Sequence, residues 1–120
     1  MLRSVCPSSV CLSSVGVMLV LALTCGSACA DGDVKAGAQK IRTLQCQSCH
    51  GKDGLSKLPG APNLAGQGQD YMIAALDAYR SGERKNDIMN TIAQPLKDGD
   101  IADVTAYYSS IQLTVKLPAP

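Results

Sequence analysis

The sequence predicts a small all-α domain of about four helical pieces. Three observations carry that prediction: apolar residues recur at helical spacing in separate segments, no strand alternation or internal repeat is found, and the one Gly/Pro-rich stretch, residues 51–68, falls between periodic segments. With 11 Lys+Arg against 10 Asp+Glu the formal net charge is +1, which speaks against a nucleic-acid-binding face or an acidic tail.

In chain order, residues 1–30 read as a secretory signal. Arg3 is the only charge before Asp31, residues 15–23 form the apolar run VGVMLVLAL, and Ala28-Cys29-Ala30 gives a small-x-small cleavage pattern. The run is shorter than the roughly 20 apolar residues a spanning helix needs. Cleavage is expected after Ala30, an uncleaved membrane anchor being the alternative, and residues 31–120 then form the domain. Cys6, Cys11, Cys25 and Cys29 leave with the signal, so Cys46 and Cys49 remain and no disulfide framework is possible.

Val34, Gly37, Ile41 and Leu44 lie on one face of a helix that starts at an Asp33 cap and is expected to run on into Cys46. A glycine inside a helix costs about 1 kcal/mol, so Gly37 on the apolar stripe predicts close approach of another helix beneath Tyr107 or Tyr108. Residues 69–81 place Met72, Leu76 and Tyr79 on one face, with Gly82 as the stop. A short helix is expected over 87–94 before Pro95, and Ile101, Val104, Tyr108 and Ile111 mark the last one.

Such a domain has a thin core. It holds no Phe or Trp, four Tyr, and nineteen Val, Ile, Leu and Met after residue 30. Domains this small usually need a covalent or metal staple, and a large flat cofactor would supply the missing aromatic area.

Cys46-Gln47-Ser48-Cys49-His50 names that cofactor. It is the attachment pattern of haem c: two thiols three positions apart each add to one vinyl group, and the next residue brings its imidazole beneath the iron. A thioredoxin-like dithiol would require a βαβ pattern, and zinc would require four ligands. Neither is visible. Haem c is attached outside the cytoplasm, which agrees with export to the periplasm. His50 is the chain's one histidine, so a second axial ligand must come from Met72 or Met89, or the position stays open. Met72 sits on an apolar stripe where packing is the commoner role; Met89, in a short polar segment, is the favoured ligand.

From residue 33 to 113 the chain resembles the single-haem class I bacterial cytochromes c of the c4/c553 type. The carriers are Cys46-Gln47-Ser48-Cys49-His50-Gly51, Asp53-Gly54, Pro62-Asn63-Leu64-Ala65-Gly66-Gln67, Tyr79-Arg80-Ser81-Gly82-Glu83-Arg84, Ile88-Met89 and Ala106-Tyr107-Tyr108. The resemblance implies that Met89 is the methionine ligand and that the Pro62 carbonyl accepts a hydrogen bond from the proximal imidazole; on its own, Pro62 reads as a loop stiffener. One haem motif excludes the two-haem form. Where relatives carry a Ser or Thr cap before the last helix this chain has Lys97, and Asp98 is expected to cap instead.

The implied function is a non-enzymatic, periplasmic one-electron carrier with His50 and Met89 on the iron, meeting redox donors and acceptors transiently. The alternatives are a haem c subunit passing electrons from a separate dehydrogenase catalytic chain, and a haem enzyme or gas sensor with an open sixth site. Lys52, Lys57, Arg80, Arg84 and Lys85 offer a basic rim for steering a partner, or simply a solvated surface.

Overall fold

Asp33 opens the first helix as its residue type dictates. Its carboxylate accepts hydrogen bonds from the backbone N–H groups of Lys35 at 2.7 Å and Ala36 at 3.0 Å, satisfying donors that have no partner within the helix. The computed structural model describes residues 31–118, so the signal and its cleavage site lie outside the described residues. Within these, five helices follow one another: α1 (Val34–Thr43), α2 (Cys46–His50), α3 (Gln69–Ser81), α4 (Asp87–Ala93) and α5 (Asp98–Ser109), with no strand among the described residues.

The first helix does not continue into Cys46 as expected. Gln45 adopts a left-handed conformation with φ 61°, and its side-chain amide donates to the Arg42 carbonyl at 3.0 Å. The chain therefore turns at the end of α1 and starts α2 as a separate piece, which is why five helices appear where about four were expected.

α1 and α5 form the closest pair. A Cβ at Gly37 would collide with the Asp103 carbonyl oxygen and stand 2.8 Å from the Tyr107 Cβ, so the glycine marks a helix crossing, under Tyr107. Beneath it Ile41 and Tyr108 are wholly buried, with Met72 and Val104 packed against them. At the edge of the crossing the Lys40 ammonium pairs with Asp100 at 2.8 Å and Asp103 at 2.7 Å, and the Asp33 N–H donates to Asp103 at 2.7 Å.

α3 ends at Gly82, whose φ of 78° is the left-handed geometry a glycine accepts freely. Arg80 then ties α3 to the start of α5: it donates to the Leu96 carbonyl at 2.9 Å and pairs with Asp77 and Asp98, each at 2.8 Å. Asn86 caps α4 by accepting from the Met89 N–H at 3.0 Å, and Asn90 donates to the carbonyls of Tyr79 at 2.6 Å and Arg84 at 2.9 Å.

The cap of α5 differs from expectation. Lys97, not Asp98, is the N-cap residue, and a lysine side chain has no acceptor to offer. Asp100 compensates by accepting from the Lys97 N–H at 3.1 Å, while Asp98 is engaged by Arg80. The helix also stops before Ile111, which packs against the core from the segment beyond it.

Candidate functional site

α2 is a five-residue helix, so Cys46 and Cys49 lie nearly one turn apart on the same side of it. Both are half-buried and not joined in a disulfide, and burial pushes the Cys46 thiol up to about 11. His50 closes the helix with its ring buried and its Nδ1 2.8 Å from the Pro62 carbonyl oxygen. The tautomer that satisfies this bond carries its proton on Nδ1, which leaves the Nε2 lone pair free to ligate.

The loop of residues 51–68 holds Pro62 in that place by folding back on itself. The N–H groups of Leu64 and Ala65 both donate to the Gly54 carbonyl, at 2.7 and 3.1 Å, and the Asn63 amide oxygen accepts from Ser56 N–H at 2.7 Å. The loop is also tied to α2 directly, since Lys57 N–H donates to the Cys49 carbonyl at 3.0 Å.

Two tyrosines of α5 secure the other end of the motif. The Tyr108 hydroxyl donates to the Gly51 carbonyl at 3.0 Å and the Tyr107 hydroxyl to the Lys52 carbonyl at 2.9 Å, with the rings edge to face at 5.3 Å between centroids. Burial raises the Tyr108 pKa and keeps its phenol protonated as a donor. Sequence reasoning placed these rings over Gly37 and missed their hydroxyl groups, because a phenol's partner 57 residues away leaves no local signal.

A cavity of about 340 Å³ opens beside α2. Cys46, Cys49, His50 and Pro62 line it from one direction, Met72 and Leu76 from α3, Ile88, Met89 and Ile92 from α4, and Val104 and Thr105 from α5. Every sequence-predicted site residue therefore reaches one space. Met72 is 5 % exposed and packed among Ile41, Val104 and Tyr108, whereas Met89 is half-buried and belongs to neither core cluster. Thr105 is buried and turns its hydroxyl back to the Ile101 and Ala102 carbonyls, at 2.8 and 3.0 Å, presenting no unsatisfied polar atom to the cavity.

Of the five cations expected as a basic rim, the structure engages Lys57 with Asp53 at 3.0 Å and Arg80 with Asp77 and Asp98. The rim is thereby reduced to Lys52, Arg84 and Lys85.

Two thiols on one side of a short helix, a buried imidazole with Nε2 free, and a deep apolar cavity fit the residues to a covalently attached haem and define a haem c domain. The chain belongs to the cytochrome c family, whose family model, Cytochrome c, matches residues 34–112. It is 49 % identical over 82 residues to cytochrome c-554(548) of Halomonas halodenitrificans, which covers 66 % of this chain and 96 % of that protein. It superposes on the crystal structure of reduced recombinant cytochrome c4 from Pseudomonas stutzeri with a TM-score of 0.62 at 38 % identity, covering 70 % of this chain and 48 % of that one. It is also 36 % identical over 78 residues to a thiosulfate dehydrogenase electron acceptor of Stutzerimonas stutzeri, covering 62 % of this chain and 36 % of that protein. The chain thus spans nearly all of the first of these proteins and half or less of the other two. One haem c, bound through Cys46 and Cys49, and an electron-carrying role come with the family.

Proposed function

We propose that the chain is a periplasmic one-electron carrier whose single haem iron is held by His50 and Met89. The observation that carries this reading is that both side chains line the same apolar cavity as the cysteine pair, while Met72 is built into the core. When bound, the haem supplies reversible exchange of one electron between donor and acceptor proteins. The protein's part is to hold the ligands still. Pro62 fixes the His50 ring through the Nδ1 bond, Asn86 fixes the start of α4 through the Met89 N–H, and the apolar lining disfavours the more highly charged oxidised state, raising the potential. Were His50 and Met89 both to hold the iron, no position on it would be left for a substrate, and the proposed role is non-enzymatic.

A second reading has one observation in its favour, the relative named as an electron acceptor of thiosulfate dehydrogenase. There the same domain would take electrons from a dehydrogenase catalytic subunit, and it would co-purify with that chain in a stable complex rather than meet it transiently.

The ligand assignment is tested by comparing Met89→Ala with Met72→Ala in the haem-loaded protein. Met89→Ala is expected to open the iron to carbon monoxide, whereas Met72→Ala leaves the iron closed and lowers stability by about 2–5 kcal/mol. Carbon monoxide binding that is unchanged by Met89→Ala would overturn the assignment.

A further inference from the structure

The side-chain amide of Asn90 is committed entirely to backbone. Its Nδ2 donates to the Tyr79 carbonyl at 2.6 Å and to the Arg84 carbonyl at 2.9 Å, and its Oδ1 accepts from the Asn86 N–H at 2.7 Å. An asparagine amide offers two N–H donors and one oxygen, so every group has a partner and the side chain is held in one orientation. The partners lie at three places: Tyr79 in the last turn of α3, Arg84 in the connection, and Asn86 at the N-cap of α4. Among the described residues no other hydrogen bond joins α3 to α4.

Met89 sits inside this arrangement. The Asn86 side chain accepts from the Met89 N–H at 3.0 Å, and the Asn90 N–H donates to the Asn86 carbonyl at 2.8 Å. The cap residue thus serves Met89, and the residue after Met89 serves the N–H of the cap residue, a capping box with its second member one position late. Little else fastens the segment. α4 has seven residues and buries only Ala93, and so short a helix has little stability of its own. A thioether is in addition a neutral, weak donor, so its hold on an iron depends on being presented in place by its surroundings.

We infer that Asn90 is the positioning residue for Met89: its amide clamps the start of α4 to the end of α3, holds the thioether where it can ligate, and so keeps the sixth position of the iron closed. The inference rests on the reading of Met89 as the axial ligand. Without the clamp, the connection over residues 82–86 lets α4 swing away more often. An outside ligand that binds only the open form has an apparent dissociation constant equal to its intrinsic one divided by the open fraction, so its affinity reports how often the iron is exposed.

The test is titration of the oxidised, haem-loaded protein with imidazole at about pH 8 in the wild type, Asn90→Ala, Asn90→Asp and Gly37→Ala. Asn90→Asp keeps the shape and the oxygen that serves Asn86, but sets a carboxylate oxygen against the two carbonyls. Gly37→Ala strains the fold at the crossing of α1 and α5, away from the clamp. Both Asn90 variants are expected to remain low-spin before imidazole is added and to bind it about fivefold to thirtyfold more tightly than the wild type, the effect of losing one or two hydrogen bonds that favour the closed form. Gly37→Ala is expected to lose stability and yet bind imidazole as the wild type does. Wild-type imidazole affinity in Asn90→Asp, or a tightening in Gly37→Ala as large as in the Asn90 variants, would overturn the proposal. A wild-type protein that is already high-spin would instead fail the Met89 assignment itself, which separates the two.

Discussion

Between α1 and α5 the protein fills its own interior, whereas between α3 and α4 it leaves a space. On the first side Ile41 and Tyr108 are wholly buried, a glycine lets two backbones meet, and charged groups close the edge. On the second, α3 buries only Met72 and α4 only Ala93, while Tyr71 and Ile88 are 57 % and 67 % exposed. The contrast explains how so few apolar side chains serve a stable domain. One half is a conventional helix pair; the other is a partial shell whose missing core is the cofactor.

The largest effect expected from this contrast follows loss of the haem. In a Cys46→Ser, Cys49→Ser protein lacking it, hydrogen exchange should show α3 and α4 losing protection by orders of magnitude, with α1 and α5 retaining more of theirs. Uniform loss over all helices would mean that the helix pair is no more autonomous than the cavity wall. Next in size is Gly37→Ala, which sets a methyl group against the Asp103 carbonyl and Tyr107. Forcing the helices apart should cost about 1–3 kcal/mol in denaturant unfolding of the haem-loaded protein, with the c-type spectrum unchanged.

Tyr108→Phe removes the hydroxyl and leaves the Gly51 carbonyl without that donor. A loss of about 1–3 kcal/mol in unfolding is expected. Because this contact joins the helix pair to the haem motif, the same variant should also shift the haem methyl resonances in the NMR spectrum of the oxidised protein, which a purely distant packing defect would leave alone.

The smallest effect concerns Lys40. Its hydrogen bond holds the Asp100 carboxyl below the usual range, and the Asp33 N–H followed by Lys40 does so for Asp103. Carboxyl groups depressed in the folded state contribute stability that is present above their unfolded pKa, about 3.9, and lost as pH falls through the folded value. Lys40→Met should therefore cost less than about 1 kcal/mol per pair at pH 7, and the difference from wild type should shrink as pH falls below the unfolded value of about 3.9 and the carboxyl groups protonate in the folded protein.

What could be read from the sequence was what repeats or what clusters. The Cys46-Cys49-His50 spacing, the apolar faces of α1, α3 and α5 and the stop at Gly82 are local patterns, and they specified the helices and the cofactor's attachment point. Gly37 was legible because its cost in a helix demands a reason. The break at Gln45 was not, since a left-handed glutamine has no sequence signature of the kind glycine provides. Nor was the exchange of roles at α5, where Arg80 draws Asp98 away and Asp100 serves the Lys97 N–H, because that choice is made by a residue on another helix. The tyrosine hydroxyl bonds to Gly51 and Lys52 and the placement of Arg84 at the cavity are likewise products of tertiary structure.

The central claim is that two protein ligands close the iron of a single haem c. Its most direct test is the optical spectrum of the haem-loaded protein, oxidised and reduced, with and without carbon monoxide. The account predicts a low-spin c-type spectrum, a thioether-to-ferric charge-transfer band in the far red, and indifference to carbon monoxide. A high-spin ferric spectrum, or ready carbon monoxide binding by the reduced protein, would contradict it.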